Sequence, residues 1–301
     1  FALEVILGQF HATYFGAVVI SAVTADVVAH FFEPNLRAFA IPEYALVHPV
    51  ELIFYIILGA IAAVLSFGFA RLLYLSEDIW DKFHFPEYLK PILGGIALGV
   101  IGILTYKIDG FPRVFGVGYD SITEALFGNL TLQVTLALLL IKLLATITTL
   151  GSGGSGGVFA PSLFMGAMMG AAFGHVVNYL FPSVTAPVGA YALVGMSAFF
   201  TGAAHAPITA IIILFELTGD YHIILPLMLA TVVSTFVSRI ISRESIYTLK
   251  LTRRGVHLEH GKDIDLMQSV TVAEIMTTDV DTVPIDMPLN ELAEAFAQTH
   301  H

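Results

Sequence analysis

The chain has 301 residues, 56% of them hydrophobic and 12% charged, with a mean hydropathy of +0.83; so much apolar mass excludes an ordinary soluble domain and points to a polytopic membrane protein. The formal charge is −11, but residues 257–301 hold nine acids and one lysine and so carry most of it, and the sign says little about what the membrane part handles. Cysteine is absent, which excludes a disulfide framework and thiolate metal sites.

Taken in order, residues 1–7 read as the end of a helix turned at Gly8. Residues 10–32 form a second apolar segment, containing Asp26 and His30 and closed by the loop signal Glu33-Pro34-Asn35. The run 49–75 can cross about 30 Å of hydrocarbon with tilt; Glu51 and Arg71 fall near its ends, where a charge reaches the interface. Residues 76–90 are polar and turn-rich, with Trp80 placed as an interfacial anchor. The segment 91–106 follows, with Gly94, Gly95 and Gly99 for close packing. Residues 109–120 read as a loop and 121–127 as a short helix with Ser121 and Glu124 at capping-box spacing. The run 130–150 is apolar apart from Lys142. A lysine at that depth contributes to the field around a permeating ion, pairs structurally, or snorkels to the interface; the residues alone leave these open.

From 143 to 215 there is no Asp, Glu, Lys or Arg, yet this stretch contains the joint GSGGSGGVFAP at 151–161. Irregular backbone at membrane depth is tolerated only inside protein or beside a watery cavity, so residues 151–157 should line something. Pro161 sits where a first helical turn accepts a residue without N–H. A helix N-terminus therefore points into the joint, and its free amides and positive dipole end suit an anion without any cationic side chain. The other reading is a glycine joint that lets two helices cross closely. The run 158–180 is a full span, whereas 188–200 and 208–217 are short, the sequence mark of broken-helix transporters. Residues 223–241 complete the apolar region. Arg239, Arg243, Lys250, Arg253 and Arg254 then put the C-terminal residues in the cytosol. After a linker at 257–268 the composition changes, and 269–301 alternates and then turns helical.

The run TLGSGGSGGVFAPSLFMGAMMG resembles the anion-site motif of the chloride channel (CLC) family of channels and proton-coupled antiporters. FALEVILGQFHATYF, GAAHAPITAIIILFELTGDY and SIYTLKLTRRG agree with it in the same order, so the likeness covers 1 to about 256. It implies an all-α broken-helix membrane bundle with inverted repeats, here its C-terminal part, working as a homodimer with one pore per subunit in the plasma membrane. It also implies that main-chain N–H groups of Val158 and Phe159 bind chloride or another small anion, in the loop of Gly156, Gly157 and Pro161, while the Tyr247 hydroxyl donates from the inner side. A phenol donates without adding a fixed charge. Antiporters of the family often carry two successive glutamates in the opening helix; Glu4 matches the first, but Val5 stands at the second, which passes protons. Valine carries none, so passive conduction is expected, with chloride/proton exchange as the alternative. The family's selectivity-serine loop and gating-glutamate loop have no counterpart here, and the chain reads as a piece cut at both ends. Residues 269–301 resemble the opening of a CBS domain, whose complete pairs can bind adenine nucleotides.

Rival classes fare worse. A CBS-regulated cation channel needs acids at a midplane pore, and 143–215 supplies none. No metal-ligand spacing and no nucleophile with a base is visible, so neither an enzyme, a resident cofactor nor a nucleic-acid partner is expected. His205, in GAAHAP, reads as a structural hydrogen-bonding residue or a proton relay. Glu216, Thr218 and Asp220 read as a helix end, which the resemblance puts near the dimer interface.

Overall fold

A computed structural model describes residues 12–32, 47–110, 113–219 and 221–253, with scattered positions elsewhere, among them 1, 4, 5, 39 and 44. The chain divides into two units, 1–257 and 258–301. In the second unit only isolated positions between 284 and 292 are described, so the CBS-like and linker readings lie almost wholly outside the described residues.

The described part of the first unit is helical: α1 (Ala12–Phe32), α2 (Glu51–Lys82), α3 (Leu89–Asp109), α4 (Tyr119–Leu126), α5 (Leu132–Gly151), α6 (Phe159–Leu180), α7 (Val188–Ala204), α8 (Pro207–Thr218), α9 (Ile224–Ile241) and α10 (Thr248–Arg253). Six of them, α1, α2, α3, α5, α6 and α9, are long and apolar enough to cross a membrane, whereas α7 and α8 fall short. Large apolar side chains face outward on α1, α2, α3, α5 and α9, such as Phe31, Ile53, Ile96, Leu140 and Phe236. Ser66, Ser197, Thr231 and Ser234, by contrast, are fully buried. That inversion is the signature of a lipid-facing exterior with hydroxyls bonding between helices: Ser197 and Thr231 share a 2.7 Å bond, and Ser234 donates to the Ala198 carbonyl at 2.6 Å.

Helices α6 and α7 form the centre, antiparallel and in backbone contact. A Cβ at Gly166 would come 2.6 Å from the Gly195 carbonyl oxygen, and one at Gly170 would collide with that of Tyr191. Small residues thus let the helices approach until main chain meets main chain. Helix α7 ends at His205, whose φ of 57° is left-handed and whose N–H caps Thr201 O; Pro207 then opens α8 at its first turn. Helix α5 stops at Gly151, where a side chain would strike Ser76 of α2, and Gly153 turns the chain at φ +83°.

Three sequence expectations need correction. Helix α2 does not stop at 75 but runs 32 residues, about 48 Å at 1.5 Å per residue. No Gly or Pro interrupts 76–82, and Glu77 and Asp78 are held by Lys250 (3.2 Å) and Arg253 of α10. Glu51 does not reach an interface; it is fully buried, its carboxylate accepting from Tyr55 OH (3.1 Å), Tyr191 OH (2.9 Å), Ala186 N (2.7 Å) and Val47 N (3.2 Å). Those four donors satisfy its two oxygens without a cation. The capping box on α4 does not form either, since Gly118 takes the N-cap in a left-handed conformation and Glu124 pairs with Arg113.

Candidate functional site

The joint delivers the chain to the start of α6 with its amides unspent. Val158 occupies the N-cap, and no side chain caps the helix. The first intrahelical bond is Ser162 N to Val158 O at 3.1 Å, so the N–H groups of Phe159 and Ala160 have no intrahelical acceptor, and Pro161 brings none. The Ser162 hydroxyl donates to the same Val158 carbonyl at 2.6 Å, holding the first turn closed. A Cβ at Gly157 would meet nothing within 4 Å, so that side of the loop faces open space, whereas Gly156 backs onto Leu150. The joint thus combines a rigid helix start with an unfilled volume beside it.

That volume is a cavity of about 490 Å³, walled by Gly156, Gly157, Phe159, Val114, Gly116 and Lys142 among others. Lys142 is its one ionisable lining residue, only 3% exposed. Its Nζ donates to Val114 O at 3.0 Å and Gly116 O at 2.7 Å and lies 5.0 Å from the centre of the Phe164 ring. Lys142 therefore neither snorkels nor joins an ion pair with a described residue.

Phe159 and Tyr247 are brought together through Phe1. The Phe159 ring meets Phe200 edge-on at 5.0 Å and Phe1 at 6.4 Å, and the Tyr247 ring meets Phe1 at 5.5 Å. Tyr247 stands in a short loop pinned on both sides. Ile246 N donates to Ala203 O in the last turn of α7 (2.8 Å), Tyr74 OH donates to Ile246 O (2.5 Å), and Tyr247 N donates to Ser245 Oγ (3.3 Å). Burial pushes the Tyr247 phenol up to about 12, so near neutral pH the hydroxyl keeps its proton and remains a donor.

Val5 is half-buried against the core and carries no titratable group. Its neighbour Glu4 supplies what the sequence reading missed: the carboxylate accepts from Ile208 N (3.1 Å) and Thr209 N (2.6 Å), closing the N-terminus of α8 from another part of the chain. The available signal was α8 itself, which begins after Ala206, a residue with no side-chain acceptor. Among the described residues no three His, Asp or Glu side chains are grouped to hold a metal.

A model of the family described as voltage gated chloride channel matches residues 1–239. A putative chloride channel protein ClcB-like of Ralstonia nicotianae is 31% identical over 253 residues, 84% of this chain and 58% of its own length. The H(+)/Cl(-) exchange transporter ClcA of Vibrio campbellii is 30% identical over 256 residues, 84% of this chain and 54% of its own. The chain thus spans a little over half the length of these relatives. Among solved structures, a slow cyanobacterial Cl-/H+ antiporter superposes with a TM-score of 0.68 at 28% identity, covering 77% of this chain and 53% of that one. A CLC-type fluoride/proton antiporter does so at 0.67 and 23% identity, over 83% of this chain and 59% of that one, a likeness of fold.

Proposed function

Because the chain belongs to the voltage-gated chloride channel family, we propose that the intact protein moves chloride across a membrane in exchange for protons, the anion resting on the open start of α6. The observation that carries this reading is the uncapped first turn beside an unfilled cavity. Main-chain N–H groups of Val158 and Phe159 replace part of the ion's hydration shell, and the Tyr247 hydroxyl donates a further bond. Gly156 and Gly157 keep side chains out of the ion's way, and Pro161 leaves the first turn without a competing donor. Neutral donors hold a halide weakly enough to release it.

Exchange is favoured over the passive conduction expected from Val5, because relatives of this chain are named exchange transporters and one similar structure is a chloride/proton antiporter. Val5 keeps the channel reading alive as the second choice: the opening segment offers Glu4, already bonded to two amides, and no second carboxylate. On the same reading the protein is a homodimer of the plasma membrane, with the Arg239 to Arg254 basic cluster and the CBS-like segment on the cytosolic side, where a complete CBS pair would take an adenine nucleotide.

The test is the reversal potential of the intact protein in liposomes under a chloride gradient, with and without a pH gradient. Under exchange the potential shifts with the pH gradient. A potential fixed at the chloride equilibrium value, indifferent to pH, would hand the assignment to the channel.

A further inference from the structure

The proposed function accounts for the cavity's floor at α6 but leaves its one charge unused. Lys142 lies in the middle of α5, almost fully buried, and its ammonium is held by two neutral carbonyls and an aromatic face. An ammonium has three donors, and the third has no acceptor among the described residues. The carbonyls satisfy protons without cancelling charge, and a buried uncompensated cation is costly to keep. The nearest candidate acid by sequence, Glu124, is engaged by Arg113. What shares the cavity with Lys142 is the start of α6, through Gly156, Gly157, Phe159 and Ala160, and that end carries positive potential of its own.

We propose that Lys142 is the fixed cation of the anion's route, raising the local concentration of chloride in the cavity that leads to the α6 amides. The proposal rests on the chloride reading of that site and extends it to a residue the amides do not include. A charge bounded by low-dielectric walls focuses its field into the cavity, drawing anions in and turning cations away. Its tether to Val114 O and Gly116 O keeps the ammonium on the wall, so it attracts the ion without closing over it.

The experiment measures chloride flux against chloride concentration for the intact protein in liposomes at constant ionic strength. Wild-type protein that carries no chloride overturns the functional reading itself. Given wild-type flux, Lys142→Met, which keeps the length and loses the charge, raises the half-saturating chloride concentration about tenfold, whereas Lys142→Arg stays near wild type. Lys142→Cys supplies the second arm, read against wild-type protein given the same reagents, with no other cysteine within residues 1–301: an aminoethyl methanethiosulfonate, which restores a cation, recovers flux, and a sulfonatoethyl reagent lowers it further. This arm stands even if the methionine variant misfolds. A folded Lys142→Met with unchanged half-saturation, or equal effects of the two reagents, would reduce Lys142 to a clamp on the 114–116 loop and defeat the proposal.

Discussion

Helices α6 and α8 both have a proline in the first turn, and neither is capped by its own N-cap side chain. At α8 the exposed amides of Ile208 and Thr209 are met by the carboxylate of Glu4. At α6 the first residues of the helix, Phe159 and Ala160, line a cavity instead. One helix end has its anion built into the chain, and the other leaves the place open. On the proposed reading the same dipole chemistry serves structure in the first case and recognition in the second, so a helix start becomes informative only when the chain's own acids are accounted for.

The comparison is broken most severely at the frame that holds α6. Gly170→Leu drives a side chain into the Tyr191 carbonyl of α7, and overpacking at a main-chain contact should cost about 3 kcal/mol or more, read as loss of monodisperse protein or a collapse of the melting temperature in detergent. Next comes the closed helix end. Glu4→Gln removes the built-in anion at α8 and should cost about 1–2 kcal/mol of stability while leaving chloride half-saturation near wild type; a large change in half-saturation with no loss of stability would reverse the roles assigned to the two helix starts. Tyr247→Phe acts on the open end only, with a several-fold rise in half-saturating chloride, worth about 1 kcal/mol, and an unchanged melting temperature. Smallest is Gly157→Ala, which meets no neighbour within 4 Å and should leave stability within about 0.5 kcal/mol while lowering flux by narrowing the cavity.

Tyr247 also sets a pH expectation. Its folded pKa, about 12, lies above the ordinary tyrosine value of 10.0, so the unfolded chain loses the proton first. The contribution to stability is complete below pH 10 and is lost as pH rises through 12. Flux between about pH 5 and 9 should therefore carry no titration from this phenol, and a Tyr247→Phe variant should leave any pH profile in that range unmoved.

The sequence disclosed what depends on local chemistry. The glycine joint at 151–157 and Pro161 mark where one helix must break and the next start, and the absence of charge from 143 to 215 placed the joint at depth. What it hid depends on residues far apart in the chain. Glu51 looked like an interfacial charge because Ala186 and Tyr191, 135 and 140 positions away, are what bury it. The end of α2 looked like a loop because its acids find Lys250 and Arg253 only after the chain returns. Glu4 matched a family position by alignment, but its bond to α8 spans 205 residues and has no local signal. Lys142 was ambiguous for the opposite reason: its depth was visible, but whether an acid awaited it was not.

The pairs that join α10 to α2 are open to water, with Lys250 52% and Asp78 46% exposed, and α10 directly follows the loop that presents Tyr247. Exposed pairs weaken as the electrolyte thickens: the screening length falls from about 10 Å at 0.1 M to about 3 Å at 1 M. On the proposed reading the cargo is itself half of that electrolyte. A cell rich in chloride would thus both load the site and slacken the fastening next to its inner hydroxyl, so the transporter meets the concentration of its own cargo twice, once as a ligand and once as a solvent.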